Sequence, residues 1–512
     1  MITAITLQNF KGIGEAVRIP LRPITLMFGA NSSGKSTIIQ AIHYAREILE
    51  RNNVNPDKTL TGGASIDLGG FRSLVHNHNT EIPITLRFDL DLTDVDLPDY
   101  TMWARYMSPT DYANEEAPDL SSEVQSADVA LTVMWSGIEQ RPIVRSYQVG
   151  INGEPMVRTT ASFDEKQFTL EVNLKNKLFI KWFGQEGDSD ASSEDPSEPT
   201  NWSELKTSEL TNAVPSSWDR PLYIRDSPFM ADENFSLYLA QMMLGPGQIL
   251  SSLLATFRYL GPIRSIPERN HQPALTPDES RWADGTAAWD ALYRPDDDTL
   301  LIELHHWMSD ERLKTGYGIF LDKFRAIPSH SELYAALTSN TLLDDIENIA
   351  EEFKKFPVRM RFRITTEDGR LLEVQPSDIG VGISQVVPVI VLALDTRDGI
   401  VAIEQPELHL HPAMQAELGD LFIESALGKG GNQFLIETHS EHIILRILRR
   451  IRETTANKNG SIPAIIPENL SLLFVSSDSN GTNVLALRVD ERGRIIDPIP
   501  GGFFEEDFAE LF

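Results

Sequence analysis

The sequence contains no cysteine. Disulfides, thiol catalysis and cysteine-ligated zinc or iron–sulfur centres are thereby excluded, and the composition agrees with a reducing compartment. No uncharged apolar run approaches the roughly 18 residues that a membrane helix needs, so no membrane partner is expected. The opening MITAITLQNFKG lacks a basic segment followed by an apolar one, which predicts a cytoplasmic protein. Sustained heptads and internal repeats are also missing, which argues against a long coiled coil. Positive charge is scarce, with 45 Lys and Arg against 75 Asp and Glu, a net charge of −30. The deficit concentrates in residues 93–355, where 22 basic side chains face 44 acidic ones. Such a field repels nucleic acid, so any DNA contact must be a local basic patch.

What is present is ordinary material for a folded core: 512 residues, 41% of them hydrophobic. The opening reads as alternating strands, then ITLMF, a glycine-rich loop and a helix from about Lys35 to Glu50. From about residue 93 the pattern loosens. It includes the acidic, Ser/Pro-rich stretch 184–204, expected to be a disordered surface loop, and helical signals at 235–260 and 299–356. After Phe356 strands and helices alternate again, which argues for an α/β sheet buried on both faces. The expected organisation is one α/β head built from residues 1–92 and 356–512, with 93–355 inserted as an acidic domain.

Gly29-Ala30-Asn31-Ser32-Ser33-Gly34-Lys35-Ser36-Thr37 fits the phosphate-loop pattern, between a strand and a helix. Backbone N–H groups and the helix N-terminus suit phosphate, Lys35 reaches the β and γ phosphates, and Ser36 ligates Mg²⁺. An acid is then needed at the end of a second buried strand, and GIVAIEQPELHLHP (399–412) supplies Glu404 as a metal ligand. The next position, where a water-polarising Glu is usual, is Gln405, which orients water without taking its proton. Slow hydrolysis is expected unless Glu407 serves as base, and Glu407 reads equally well as an acid at a helix start.

His439 follows a third apolar strand and precedes a helix, a position from which it would sense the γ phosphate. His409 and His411 suit a loop contact, since a metal pair lacks a third ligand. DLDLTDVDLPD (89–99) reads as a strand edge and solvated turn rather than a metal cage. In PSDIGVGISQVVPVIVLAL (376–394), Gly380, Gly382, Ser384 and Gln385 open an apolar helix, a second anion-facing start that would complete the nucleotide site of a neighbouring copy.

This order of motifs resembles the ABC-type P-loop ATPase heads of the SMC, RecF and OLD group. IEQPELHLHP, ETHSEHIILRILRRI, YLGPIRSIPERN and PGGFFEEDF are similar to a branch of bacterial ATPases found in anti-phage defence loci, as in Septu, PARIS and retron-associated systems. The resemblance covers the head and only weakly the insert. It implies ATP and Mg²⁺ as cofactors, Lys35 and Ser36 on phosphate and metal, Glu404 on the metal, Ser384 across a dimer seam and His439 as switch histidine. Departures from the wider ABC pattern are Gln405, the lack of a plain Leu-Ser-Gly-Gly-Gln, and no glutamine in 67–79, where the glutamine loop would fall. The nuclease domain that follows an OLD head is not expected in the 73 residues after His439.

Two functions follow. The first is a nucleotide-dependent sensor or scaffold whose heads pair as a homodimer or higher oligomer and gate a separate effector such as a nuclease. The second is a RecF- or SMC-like DNA-binding ATPase, resting on Arg446, Arg449, Arg450 and Arg452 of one helix and on Arg359, Arg361 and Arg363 of one strand. A transporter ATPase fits less well, since it would need a membrane partner.

Overall fold

A computed structural model describes residues 1–56, 68–102, 120, 122–183, 202–207, 212–220, 224–225, 235–267, 273–274, 276, 278–294, 298–309, 311–338, 351, 353–356, 358–366, 371–372, 380–458, 460–479 and 481–499. Eighteen strands in these residues form three sheets. The first is antiparallel and nine-stranded. It contains β1 (Ile2–Gln8), β2 (Val17–Pro20), β4 (Ile84–Asp91), β5 (Ser126–Ser136), β6 (Arg141–Ile151), β7 (Glu154–Ala161), β8 (Phe168–Asn173), β9 (Trp202–Thr207) and β10 (Ile224–Arg225), in the order β10-β9-β8-β7-β6-β5-β4-β1-β2.

The second sheet has six strands: β3 (Ile24–Phe28), β11 (Arg258–Leu260), β15 (Ile400–Glu404), β16 (Gln433–Glu437), β17 (Leu470–Asp478) and β18 (Gly481–Leu487). Their order is β11-β15-β16-β3-β17-β18, with only the β17–β18 pair antiparallel. The strand β16 thus separates β3, which feeds the phosphate loop, from β15, which ends in Glu404. A small third sheet joins β12 (Tyr317–Arg325), β13 (Val358–Thr366) and β14 (Leu371–Leu372).

The strands β3, β15 and β16 at the centre of this sheet are buried on both faces, as their unbroken apolar runs require. Alternate residues serve two cores. Met27, Ile400, Ala402, Leu435 and Leu473 face a core shared with the nine-stranded sheet and with the helices Lys35–Leu49 and Phe235–Ala255. Ile24, Leu26, Phe28, Val401, Ile403, Phe434 and Ile436 face a second core, filled from the helices Thr286–Ala291, Thr299–Met308, Val381–Asp395, Pro412–Leu427 and Glu441–Thr455. This is the α/β architecture, with a phosphate loop between a strand and a helix, expected from the sequence. Among the described residues no helix is long and apolar enough to cross a membrane.

The expected division at residues 93 and 356 needs correction. The strand β4 pairs with β5 across the first boundary, and β12 with β13 across the second. Moreover β11 forms an edge of the head sheet, and Arg46 of the phosphate-loop helix donates to the carbonyls of Phe257 and Ala255 at 2.8 and 3.1 Å. The described part of 93–355 therefore supplies β5, β11 and β12 to sheets shared with the two end segments. Among the described residues of 299–356, a strand not expected there lies between the helices Thr299–Met308 and Glu332–Thr338, because the apolar alternation over 317–325 builds β12 against β13. The loop expected at 184–204 falls outside the described residues up to 201, and 202–204 open β9.

Candidate nucleotide and metal site

The loop after β3 is shaped by backbone. Gly29 and Gly34 have φ of 140° and 99°, and a Cβ there would lie 2.0 Å from the Val475 carbonyl and 2.4 Å from Thr482 Oγ1. The hairpin of β17 and β18 thus presses on the loop so closely that only glycine fits. Ser32 also takes a left-handed conformation, with φ 61°. Lys35 is buried, and its Nζ donates to the carbonyls of Gly29 and Ala30 at 3.3 and 2.8 Å.

Beside Lys35 and Ser36 stands a residue that the sequence reading passed over. Glu437 ends β16, the strand between the phosphate-loop strand and β15. Its Oε2 accepts from Ser36 Oγ at 2.8 Å, and its Oε1 lies 3.6 Å from Lys35 Nζ. Glu404 is its register partner on β15, and Glu404 Oε1 accepts from the Tyr259 hydroxyl at 3.0 Å. Burial and the neighbouring Glu437 charge push the Glu404 carboxyl up to about 7, opposed by hydrogen bonds from Tyr259 and Ser36 and by Lys35. The signal for Glu437 was present, since QFLIE ends in an acid just as GIVAIE does.

Two carboxylates and a serine hydroxyl form the hard oxygen set that suits Mg²⁺, and a cation between them would relieve the repulsion that raises Glu404. Among the described residues no group of three or more His, Asp or Glu could hold a metal, so the cation here would draw its remaining ligands from phosphate and water. Two polar atoms at the loop also fit a phosphate. Ser33 Oγ and His439 Nε2 are buried without a hydrogen-bond partner. Burial and the Lys35 charge lower the His439 pKa, so the imidazole is neutral and able to donate one N–H.

Glu407 is not placed as a free base. It is 9% exposed, and its carboxylate accepts from Thr438 Oγ1 at 2.8 Å and from the His439 amide at 2.6 Å. Burial raises its pKa against those hydrogen bonds and Arg264. It pins the turn that carries His439. Gln405 has φ 46°, and its N–H donates to the Glu437 carbonyl at 2.7 Å.

Ser384 and Gln385 depart from expectation. Both are buried within the helix Val381–Asp395, and Gln385 Nε2 donates to the Arg264 carbonyl at 2.8 Å. Gly382 packs against the His409 carbonyl, since a Cβ there would approach it to 2.6 Å. What this helix start leaves exposed is Gly380 and Val381, so the serine does not form an open half-pocket. His411 caps the helix Pro412–Leu427 through Ala413 N, and His409 is exposed. Of 67–79, residue 67 lies outside the described residues, and His76 Nδ1 bonds the Lys11 carbonyl at 2.8 Å.

The basic helix expected for DNA is largely neutralised within the chain. Arg446 and Arg450 converge on Asp420, 1% exposed, at 2.7 and 2.5 Å. Arg446 also pairs with Glu417, and Arg449 and Arg450 with Glu453. The side chains of Arg359, Arg361 and Arg363 lie outside the described residues.

The geometry is that of a phosphate loop and two strand-end carboxylates at one edge of an α/β sheet. A profile of the AAA ATPase domain matches residues 1–93 and 320–444, which supply β3, the phosphate loop, β15 and β16 with both carboxylates. No curated protein matches the sequence. Similar solved structures include a Smc head bound to the C-winged helix domain of ScpA, at 12% identity over 95% of this chain and 98% of that one, TM-score 0.40. The SMC head domain from Thermotoga maritima is 10% identical over 95% and 99%, TM-score 0.37. A Smc head domain with an extended coiled coil, bound to the C-terminal domain of ScpA derived from Pyrococcus furiosus, is 11% identical over 100% and 98%, TM-score 0.38.

Proposed function

We propose that the chain is an ATP-binding, slowly hydrolysing ATPase that works as a nucleotide-dependent sensor or scaffold for a separate effector protein, in anti-phage defence as the resembled branch suggests. The observation that carries the ATP reading is the convergence of Lys35, Ser36, Glu404 and Glu437 at the ends of three adjacent parallel strands. In this reading the loop amides and Lys35 hold the phosphates, Ser36 with Glu404 and Glu437 holds Mg²⁺, and His439 Nε2 contacts the γ phosphate. The Mg²⁺ would neutralise charge developing on the phosphates. Gln405 orients the attacking water and Glu407 keeps the His439 turn in place, so turnover is slow for want of a proton acceptor at residue 405.

Two heads would pair around ATP, with the exposed start at Gly380 and Val381, rather than Ser384, turned towards the neighbour. The pairing of Arg446 and Arg450 with Asp420 favours a protein effector over DNA as the partner. Sedimentation velocity with ATP and Mg²⁺ tests this. The expected result is a shift to a dimer or larger species for wild type and none for Lys35→Ala; a wild-type monomer at saturating nucleotide would sink the scaffold reading.

A further inference from the structure

The segment after β11 reaches the site from the middle of the chain. Its Arg264 is 3% exposed. Nη2 donates to the carbonyls of Glu404 and Gln405 at 2.8 and 3.0 Å, and Nη1 to the carbonyl of Gln385 at 3.4 Å. Gln385 returns a hydrogen bond to the Arg264 carbonyl at 2.8 Å. One guanidinium thus joins the end of β15, the residue after it and the first turns of the helix Val381–Asp395. Burial draws this group down to about 10, and the Glu407 carboxylate opposes that shift as its counter-charge.

A planar fork with several donors makes such a junction, and the single ammonium of lysine does not. The junction also has something to hold. The φ of 46° at Gln405 is unusual for a residue with a side chain, and such conformations persist only where the surroundings over-determine them. Here the amide of Gln405 is fixed by the Glu437 carbonyl and its own carbonyl by Arg264.

We propose that Arg264 is a positioning residue of the nucleotide site, holding the Glu404–Gln405 backbone where Gln405 aligns the attacking water and transmitting displacements of the helix Val381–Asp395 to that point. This rests on the ATP reading above. A partner that moves the start of this helix therefore changes turnover before it changes nucleotide affinity. Arg264 donates to backbone carbonyls and to none of the side chains assigned to phosphate or metal, so its loss acts first on the backbone at residue 405 and on turnover.

The test uses the full chain in single-turnover hydrolysis, with Mg²⁺–ATP affinity and thermal unfolding measured alongside. Arg264→Lys keeps the charge opposite Glu407. It should lower the rate by at least about tenfold while affinity stays within about twofold. Gln385→Met should act in the same direction, and the double variant should be no slower than Arg264→Lys, because both cut one junction. Unchanged turnover in Arg264→Lys, a parallel fall of rate, affinity and melting temperature, or a wild-type chain that binds ATP without turning it over would each overturn the proposal. Lys35→Ala separates the two readings: if it binds ATP like wild type, the ATP reading itself has failed. Loss of binding there, beside wild-type turnover in Arg264→Lys, removes only the role of Arg264.

Discussion

Glu404 and Glu437 stand opposite each other at the ends of two adjacent parallel strands, one held by the hydroxyl of Tyr259 and the other by that of Ser36. Two acids in register, Glu437 buried and Glu404 half-buried, repel unless a proton or a cation lies between them. Glu437→Gln removes that repulsion but also the counter-charge beside buried Lys35, so the stability of the metal-free chain should stay within about 1 kcal/mol of wild type. The substitution should also abolish the rise in melting temperature that Mg²⁺ and ATP together give the wild type. Thermal unfolding with and without both additions checks each part.

Gln405 lacks the carboxylate that would take a proton from water. Supplying it in Gln405→Glu should raise steady-state turnover by about a hundredfold, the lower range for a positioned general base. An unchanged or lower rate would show that water activation does not limit the reaction. The Glu407 oxygens already accept from Thr438 and the His439 amide, which ties this carboxylate to the His439 turn.

Asp420 carries two half-buried guanidinium groups on a side chain that is itself buried. Truncation removes the buried partner that both share and leaves Arg446 on Glu417 and Arg450 on Glu453, so Asp420→Ala should cost about 2 kcal/mol in urea unfolding. Arg446→Gln, by contrast, should leave retention on DNA at low salt no different from wild type. A loss of salt-dependent retention would restore the DNA-binding reading.

His43 lies inside the phosphate-loop helix, edge-on to Phe257 and Tyr259 at ring separations of 4.7 and 5.3 Å. Burial, aided by Arg46, depresses its pKa from 6.5 to about 3. The folded chain thus refuses a proton that the unfolded chain accepts between those values. The contribution of His43 to stability is whole above pH 6.5 and declines as pH falls towards 3, by up to about 1.4 kcal/mol per pH unit. In His43→Leu that share of the acid slope should vanish in denaturant titrations from pH 7 to 4.

The phosphate loop and Glu404 were legible because each is local: a motif, and an acid after an apolar strand. Glu437 carried the same pattern but was masked by the more familiar histidine two residues on. Tyr259 and Arg264 were illegible in role, because a three-residue edge strand says nothing of a parallel partner some 140 residues away. The strands β5 to β8 were readable in principle. Asn152 and Gly153, with φ of 51° and 83°, form the tight turn between β6 and β7 that an Asn-Gly pair announces. Ser384 misled because a serine near a helix start looks alike in sequence whether it faces a ligand or the interior, and here it is fully buried.

The most direct measurement is an equilibrium titration of the full chain with a fluorescent ATP analogue, with and without Mg²⁺. The account predicts saturable, Mg²⁺-strengthened binding by wild type, its loss in Lys35→Ala, and loss of the Mg²⁺ effect alone in Ser36→Ala. Equal binding by all three proteins, or binding indifferent to Mg²⁺, would contradict it.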